Sequence, residues 1–93
     1  MFEYADENQI AQLVRGILRA CGGYANICGI DSEISRLEVQ VVSNAEIDVQ
    51  MLRNLGAAAV VLQKKMVQII IGEVAESLHY LLAEKLEIVP EGY

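Results

Sequence analysis

The sequence predicts an α+β two-layer sandwich: a four-stranded antiparallel sheet with three helices on one face, in the order αββαββα. Three observations carry this expectation. Leu37, Val39 and Val41 alternate with Arg36, Glu38 and Gln40, the period-two pattern of a half-buried strand. Ile10, Leu13, Val14, Ile17, Leu18 and Cys21 recur at spacings of three and four, the stripe of an amphipathic helix. The strand candidates come in pairs with hairpin-sized connections, which favours antiparallel pairing with the helices gathered on one side.

Each element has its own signals. Asp6 and Glu7 suit the positive end of the first helix, and Gly22-Gly23 stop it. Gly16 inside that helix is tolerable where a neighbour packs closely. Tyr24 to Ile30 reads as a loop leading into a short strand, with Glu33 in a turn before the alternating strand. Ser43 with Glu46 forms a capping-box pattern opening a second helix, whose stripe is Ile47, Met51, Leu52 and Leu55 and whose end is Gly56. Strands are expected at about Ala59–Leu62 and Met66–Ile71, joined through Lys64 and Lys65. A last helix after Gly72 turns Val74, Leu78, Leu81 and Leu82 inward, and Pro90 falls in a tail. The 93 residues make one domain, 1–93, with a core at about 8–86 and a short tail at 87–93.

Composition excludes several functions. The chain is 54% hydrophobic and 22% charged, with 13 acidic against 7 basic residues and a net charge of −6. The basic residues are scattered, so no stripe is available to neutralise phosphates, and nucleic acid is not an expected partner. Mean hydropathy is positive, but no apolar run approaches the roughly 20 residues that span a bilayer, and insertion into a membrane is not expected. The acidic N-terminus lacks the pattern of a secretory signal. Cys21 and Cys28 make no disulfide framework and suit a reducing compartment, so a cytoplasmic location is expected.

Chemistry-bearing residues are few. There is no phosphate-cradling glycine loop and no nucleophile elbow. His79 is the sole histidine and reads as a surface or boundary residue, so no metal site or cofactor is expected. Cys21 lies on the apolar stripe and reads as core; Cys28 reads as buried against the sheet, with an exposed reactive thiol as the alternative. The polar group that stands out is Asp31, Glu33, Ser35, Arg36 and Glu38, which on composition alone is a solvated turn.

The run ILRACGGYANICGIDSEISRLEV resembles the start of the IIB domain of glucose-type sugar phosphotransferase systems. That family reads as a helix, a Gly-Gly-x-x-Asn-Ile loop and a short strand into Asp-x-Cys-x-Thr-Arg-Leu-Arg. Asp48, Leu52 and Leu55-Gly56-Ala57 match its second helix; Val60-Val61, Val67-Gln68 and Gly72 fall at its second hairpin. The resemblance implies a domain that takes a phosphoryl group from phosphohistidine on a IIA protein onto cysteine and passes it to a sugar held by a membrane-embedded IIC component. In this chain Asp31, Arg36 and Leu37 match, and Ser35 stands for threonine. Glu33 occupies the position of the cysteine, and Glu38 that of the second arginine.

Two functions of different class follow. In the first, the chain is a binding or regulatory domain in which Glu33 imitates phosphocysteine and Arg36 holds its carboxylate. Asp31, Ser35 and Glu38 then flank a surface for IIA, IIC or a transcriptional regulator, at the inner face of the membrane through IIC. In the second, Glu33 accepts phosphate as an acyl phosphate and the chain remains a transferase. The acidic surroundings of Glu33 disfavour the second, because a developing metaphosphate-like charge needs cations around it. A role for Cys28 as acceptor is weaker, since it lies five residues upstream. A decayed site is the remaining alternative, an exposed turn tolerating substitution at little cost in stability.

Overall fold

The computed structural model describes residues 7–86. Helix α1 spans Glu7–Ala20, followed by strands β1 (Ile27–Glu33) and β2 (Arg36–Val41), helix α2 (Val49–Asn54), strands β3 (Ala59–Gln63) and β4 (Met66–Ile70), and helix α3 (Ala75–Lys85). The sheet order is β1-β2-β4-β3 with every neighbour antiparallel. Two hairpins therefore lie side by side, with β2 and β4 in the middle and β1 and β3 at the edges. Asp6 and the tail at 87–93, with Pro90, lie outside the described residues.

The alternation in β2 sets which face is covered. Leu37, Val39 and Val41 are at most 2% exposed. Register places Leu37 opposite Ile69 and Val39 opposite Val67, so the two central strands present one continuous apolar surface. Helix α3 crosses β1 and β2, α2 lies against β3, and α1 packs on both helices. Leu13, Val14, Ile17 and Leu18 of α1 join Leu52, Leu78 and Leu82 in the same core. Among the described residues no helix lies over the opposite face of the sheet, with Arg36, Glu38 and Gln40.

Three glycines shape the helical layer. Gly22 has φ of +92°, which only glycine adopts readily, and Gly23 N–H bonds the Leu18 carbonyl at 2.8 Å to close the end of α1. At Gly16 an added Cβ would lie 2.7 Å from the Leu55 side chain, so its absence lets α2 approach α1.

Asn26 joins three chain segments. Its side-chain Nδ2 donates to the carbonyls of Cys21 (2.8 Å) and Ser43 (2.9 Å), while its Oδ1 accepts from the Ser43 amide at 3.0 Å. Among the described residues it is the one buried polar side chain, 6% exposed, and it ties the end of α1 to the exit of β2.

Several expectations require correction. β1 begins at Ile27, so much of the expected loop is strand, and Glu33 is its last residue. Ser43 caps only the 3-10 turn Asn44–Glu46; the N-cap of α2 is Asp48, whose carboxylate accepts from Met51 N–H at 2.9 Å. The α-helical hydrogen bonding of α3 begins at Ala75, after Glu73. Leu81 is 39% exposed, not inward. Cys28 is exposed because the β1–β2 register shifts between Ile27 and Gly29, which lifts it out of the ladder as a bulge.

Candidate functional site at the first hairpin turn

Glu33 and Arg36 are register partners closing the β1–β2 hairpin, with Ile34 and Ser35 forming the turn. Ser35 has φ of +59°, in the left-handed region. The turn is anchored from behind: the Ser35 carbonyl accepts from Ile71 N–H (2.9 Å) and Gly72 N–H (3.2 Å), where the chain leaves β4. Ile34 at the tip is 95% exposed. A hollow of about 560 Å³ is lined by Glu33, Ile34, Ser35, Arg36 and Ile70.

The strained φ at position 35 yields a prediction. Ser35→Gly removes a left-handed cost of about 1–2 kcal/mol, partly offset by a more flexible unfolded chain. The variant is expected to be more stable by about 0.5–1 kcal/mol, read as a higher urea midpoint at unchanged slope. A lower midpoint would show that the serine hydroxyl contributes to the fold.

Strand alternation puts Asp31, Glu33, Arg36 and Glu38 on the uncovered face of the sheet. The Arg36 Nη2 donates to Glu33 Oε2. Its Nε lies 3.3 Å from Glu38 Oε2, an ion pair without hydrogen-bond alignment, and this Nε is shut from solvent with no hydrogen-bond acceptor among the described residues. Glu38 also accepts from Gln68 Nε2 at 3.3 Å. Asp31 stands opposite Glu38 in the register, and its Oδ1 accepts from the Ser32 amide at 2.8 Å. The Ser35 hydroxyl makes no hydrogen bond among the described residues.

A single guanidinium thus serves two carboxylates. Side-chain exposure falls from 67% at Glu33 to 33% at Arg36 and 19% at Glu38, so the outer pair is well solvated. Such pairs contribute only about 0–1 kcal/mol, and the cluster's significance is its charge pattern. An incoming phosphoryl group would meet net negative charge here, with Arg36 already engaged.

Behind the turn, Ser32 Oγ and His79 Nδ1 are 2.9 Å apart, and the His79 ring stacks on Tyr80 at 5.4 Å between centroids. This bond joins β1 to α3 next to Glu33. No local signal announces it, because the partners are 47 residues apart. No cluster of potential metal ligands occurs among the described residues, and none of their helices is long and apolar enough to cross a membrane.

The two thiols differ sharply. Burial pushes Cys21 from its ordinary 9.0 up to about 12. The unfolded thiol therefore ionises first, and its contribution to stability, full below about pH 9, is lost as pH rises toward about 12. Iodoacetamide on the native protein is expected to add one carbamidomethyl group, at exposed Cys28, leaving Cys21 unmodified. Two rapid additions on peptide mapping would contradict the packing of α1.

No family model matches the chain. It is 38% identical over 73 residues to the N-acetylglucosamine-specific EIICBA component of the PTS system of Escherichia coli strain K12, covering 77% of this chain and 11% of that protein. It is 39% identical over 64 residues to the glucose-specific EIICBA component of Staphylococcus carnosus strain TM300, covering 69% of this chain and 10% of that protein. The chain thus spans about a tenth of the length of these relatives. One domain of the PTS system IIabc component from Clostridium difficile shares the fold, with a TM-score of 0.73 at 22% identity, over 87% of this chain and 85% of that one. The chain is thus similar in sequence to a segment of sugar-specific phosphotransferase-system components and shares its fold with one domain of such a component.

Proposed function

We propose that the chain is a partner-binding or regulatory domain of a sugar phosphotransferase system, in which Glu33 stands at the position of the phosphoryl-accepting cysteine and imitates its phosphorylated form. The observation that carries this reading is the guanidinium of Arg36, already bound by the Glu33 carboxylate. A phosphocysteine carries its terminal oxygens three bonds beyond Cβ, through sulfur and phosphorus. Glutamate carries its carboxylate oxygens three bonds beyond Cβ through two carbons. Glu33 therefore offers anionic oxygens at comparable reach, with charge −1 in place of roughly −1.5 to −2. One carboxylate needs one cation, which fits a site that keeps Arg36 and has Glu38 beside it.

The partners in this reading are a IIA phosphocarrier and a IIC membrane component, with a transcriptional regulator as a further candidate. The domain works in the cytoplasm, at the membrane's inner face when bound to IIC. It catalyses nothing: acyl-phosphate formation at Glu33 would place a developing negative charge beside Glu38 with Arg36 occupied.

An NMR titration of the isotope-labelled chain with phosphorylated and unphosphorylated IIA protein tests the proposal through the amides of Ile30 to Leu37. Shifts there, with the donor keeping its phosphate, are the expected result. Loss of donor phosphate with a new signal at Glu33 would make the chain a transferase. Silence at these amides with both forms would remove IIA recognition.

A further inference from the structure

Three of the seven basic residues in this acidic chain converge on one groove: Arg15 and Arg19 from α1 and Lys85 from the last turn of α3. The groove has a volume of about 590 Å³ and shares no residue with the Glu33 turn. Gln12 and Tyr24 also line it, and among the described residues no carboxylate does. Among the described residues none of the three cations makes an ion pair or a side-chain hydrogen bond. An adjoining groove shares Arg15 and Lys85 and contains Glu7 and Glu84, yet neither acid lies within ion-pair distance of either cation.

Arg15 and Arg19 are four residues apart, so they project from one helix face about 6 Å apart along the axis. The helix dipole accounts for a cation at Arg19 and at Lys85, both in last turns. It gives no reason for Arg15, or for the three to share a hollow. Convergent like charges with no counter-charge among the described residues favour an external anion, and the guanidinium fork matches the geometry of phosphate oxygens. Tyr24 is 57% exposed on the rim, giving a ring on which the uncharged part of a ligand can rest. At Gly23 an added Cβ would meet nothing within 4 Å, so this wall is open to a ligand.

We infer that this groove binds a small molecule carrying a phosphate group, held by Arg15, Arg19 and Lys85 with its uncharged portion against Tyr24. A phosphate, with a charge of roughly −1.5 to −2 and three acceptor oxygens, satisfies three converging donors where a single carboxylate would not. The net charge of −6 opposes close approach to an anionic bilayer, which separates a free phosphorylated molecule from a lipid headgroup as the source.

The test is an amide-detected NMR titration of the full chain at constant ionic strength. Inorganic phosphate, pyrophosphate and a hexose monophosphate are the probes, with chloride as the control and phosphatidylglycerol vesicles as a separate arm. Saturable shifts at Arg15, Arg19, Gly23, Tyr24 and Lys85 with the phosphate compounds are expected. The exposed-site variants R15Q and R19Q should each weaken binding about tenfold while melting near the parent temperature, and Y24A should weaken the hexose monophosphate more than inorganic phosphate. Shifts equal for chloride, binding that survives the R15Q/R19Q double variant, a response to vesicles only, or no response would each overturn the inference. None of these outcomes depends on Glu33, so failure here leaves the proposed function standing.

Discussion

The double variant Glu33→Cys with Glu38→Arg is expected to take up one phosphoryl group from a phosphorylated IIA donor, where the parent chain takes none. The parent turn holds one guanidinium in contact with two carboxylates. The variant replaces them with a thiol beside two guanidinium groups, a shift of three charge units toward positive. Two neighbouring cations lower the thiol pKa, and the thiolate is the nucleophile. In the transfer, the phosphorus–nitrogen bond of phosphohistidine breaks as the phosphorus–sulfur bond forms, and the imidazole leaving group takes up a proton. The two cations meet the charge that develops on the transferring group.

Glu33→Cys alone keeps Glu38 against Arg36 and is expected to be slower on the order of 10²-fold. Intact-protein mass spectrometry after incubation with the donor reads all three chains. A folded double variant that stays unlabelled would show that the surface does not recognise a IIA donor, and would sink the proposed function. Labelling of the parent chain would end the imitation reading instead.

Asn26→Ala is expected to cost about 3 kcal/mol, a large share of the stability of a domain this size. It removes three hydrogen bonds at once and leaves the Cys21 and Ser43 carbonyls and the Ser43 amide to find other partners in a largely water-free place. Asn26→Asp separates geometry from charge. The carboxylate keeps an acceptor for Ser43 N–H but aims negative charge at two carbonyl oxygens. It should be at least as damaging at neutral pH and partly recover as pH falls and the acid becomes a donor. Chemical denaturation at two pH values decides this. Equal stability of Asn26→Asp and the parent at neutral pH would mean that the two donated bonds contribute little.

Legibility of the fold in the sequence depended on how local each cause is. Leu37, Val39 and Val41 announce a buried strand face by alternation alone, and all three are buried. The stripe of α1 is equally local, and Gly16 fits its expected role through the Leu55 contact. Ser43 and Glu46 misled because a serine oxygen caps a single 3-10 turn as readily as a helix, and Asp48 competes as the cap two residues past Glu46. Cys28 was misplaced because a bulge is a property of two strands' register, invisible in one strand's sequence. At the turn, contact between Glu33 and Arg36 could be anticipated from their spacing. The second contact, of Arg36 with Glu38, needs the strand geometry that turns both side chains to one face. Ser32 with His79 depends on how α3 lies across β1, which no local pattern encodes.

The displaced Cys28 also governs what two copies of this chain can do to each other. Among the described residues both rims of the sheet, β1 and β3, carry unpaired backbone groups that could recruit a strand from another molecule. Along β1 the bulge breaks the even spacing that such pairing requires, and exposed Asp31 and Glu33 repel the same rim of a second copy. Along β3 the spacing is regular and Val61 and Leu62 are 45% and 44% exposed, with Lys64 and Lys65 at its end. Colloidal failure at high concentration or high salt, where these charges are screened, should therefore begin at β3.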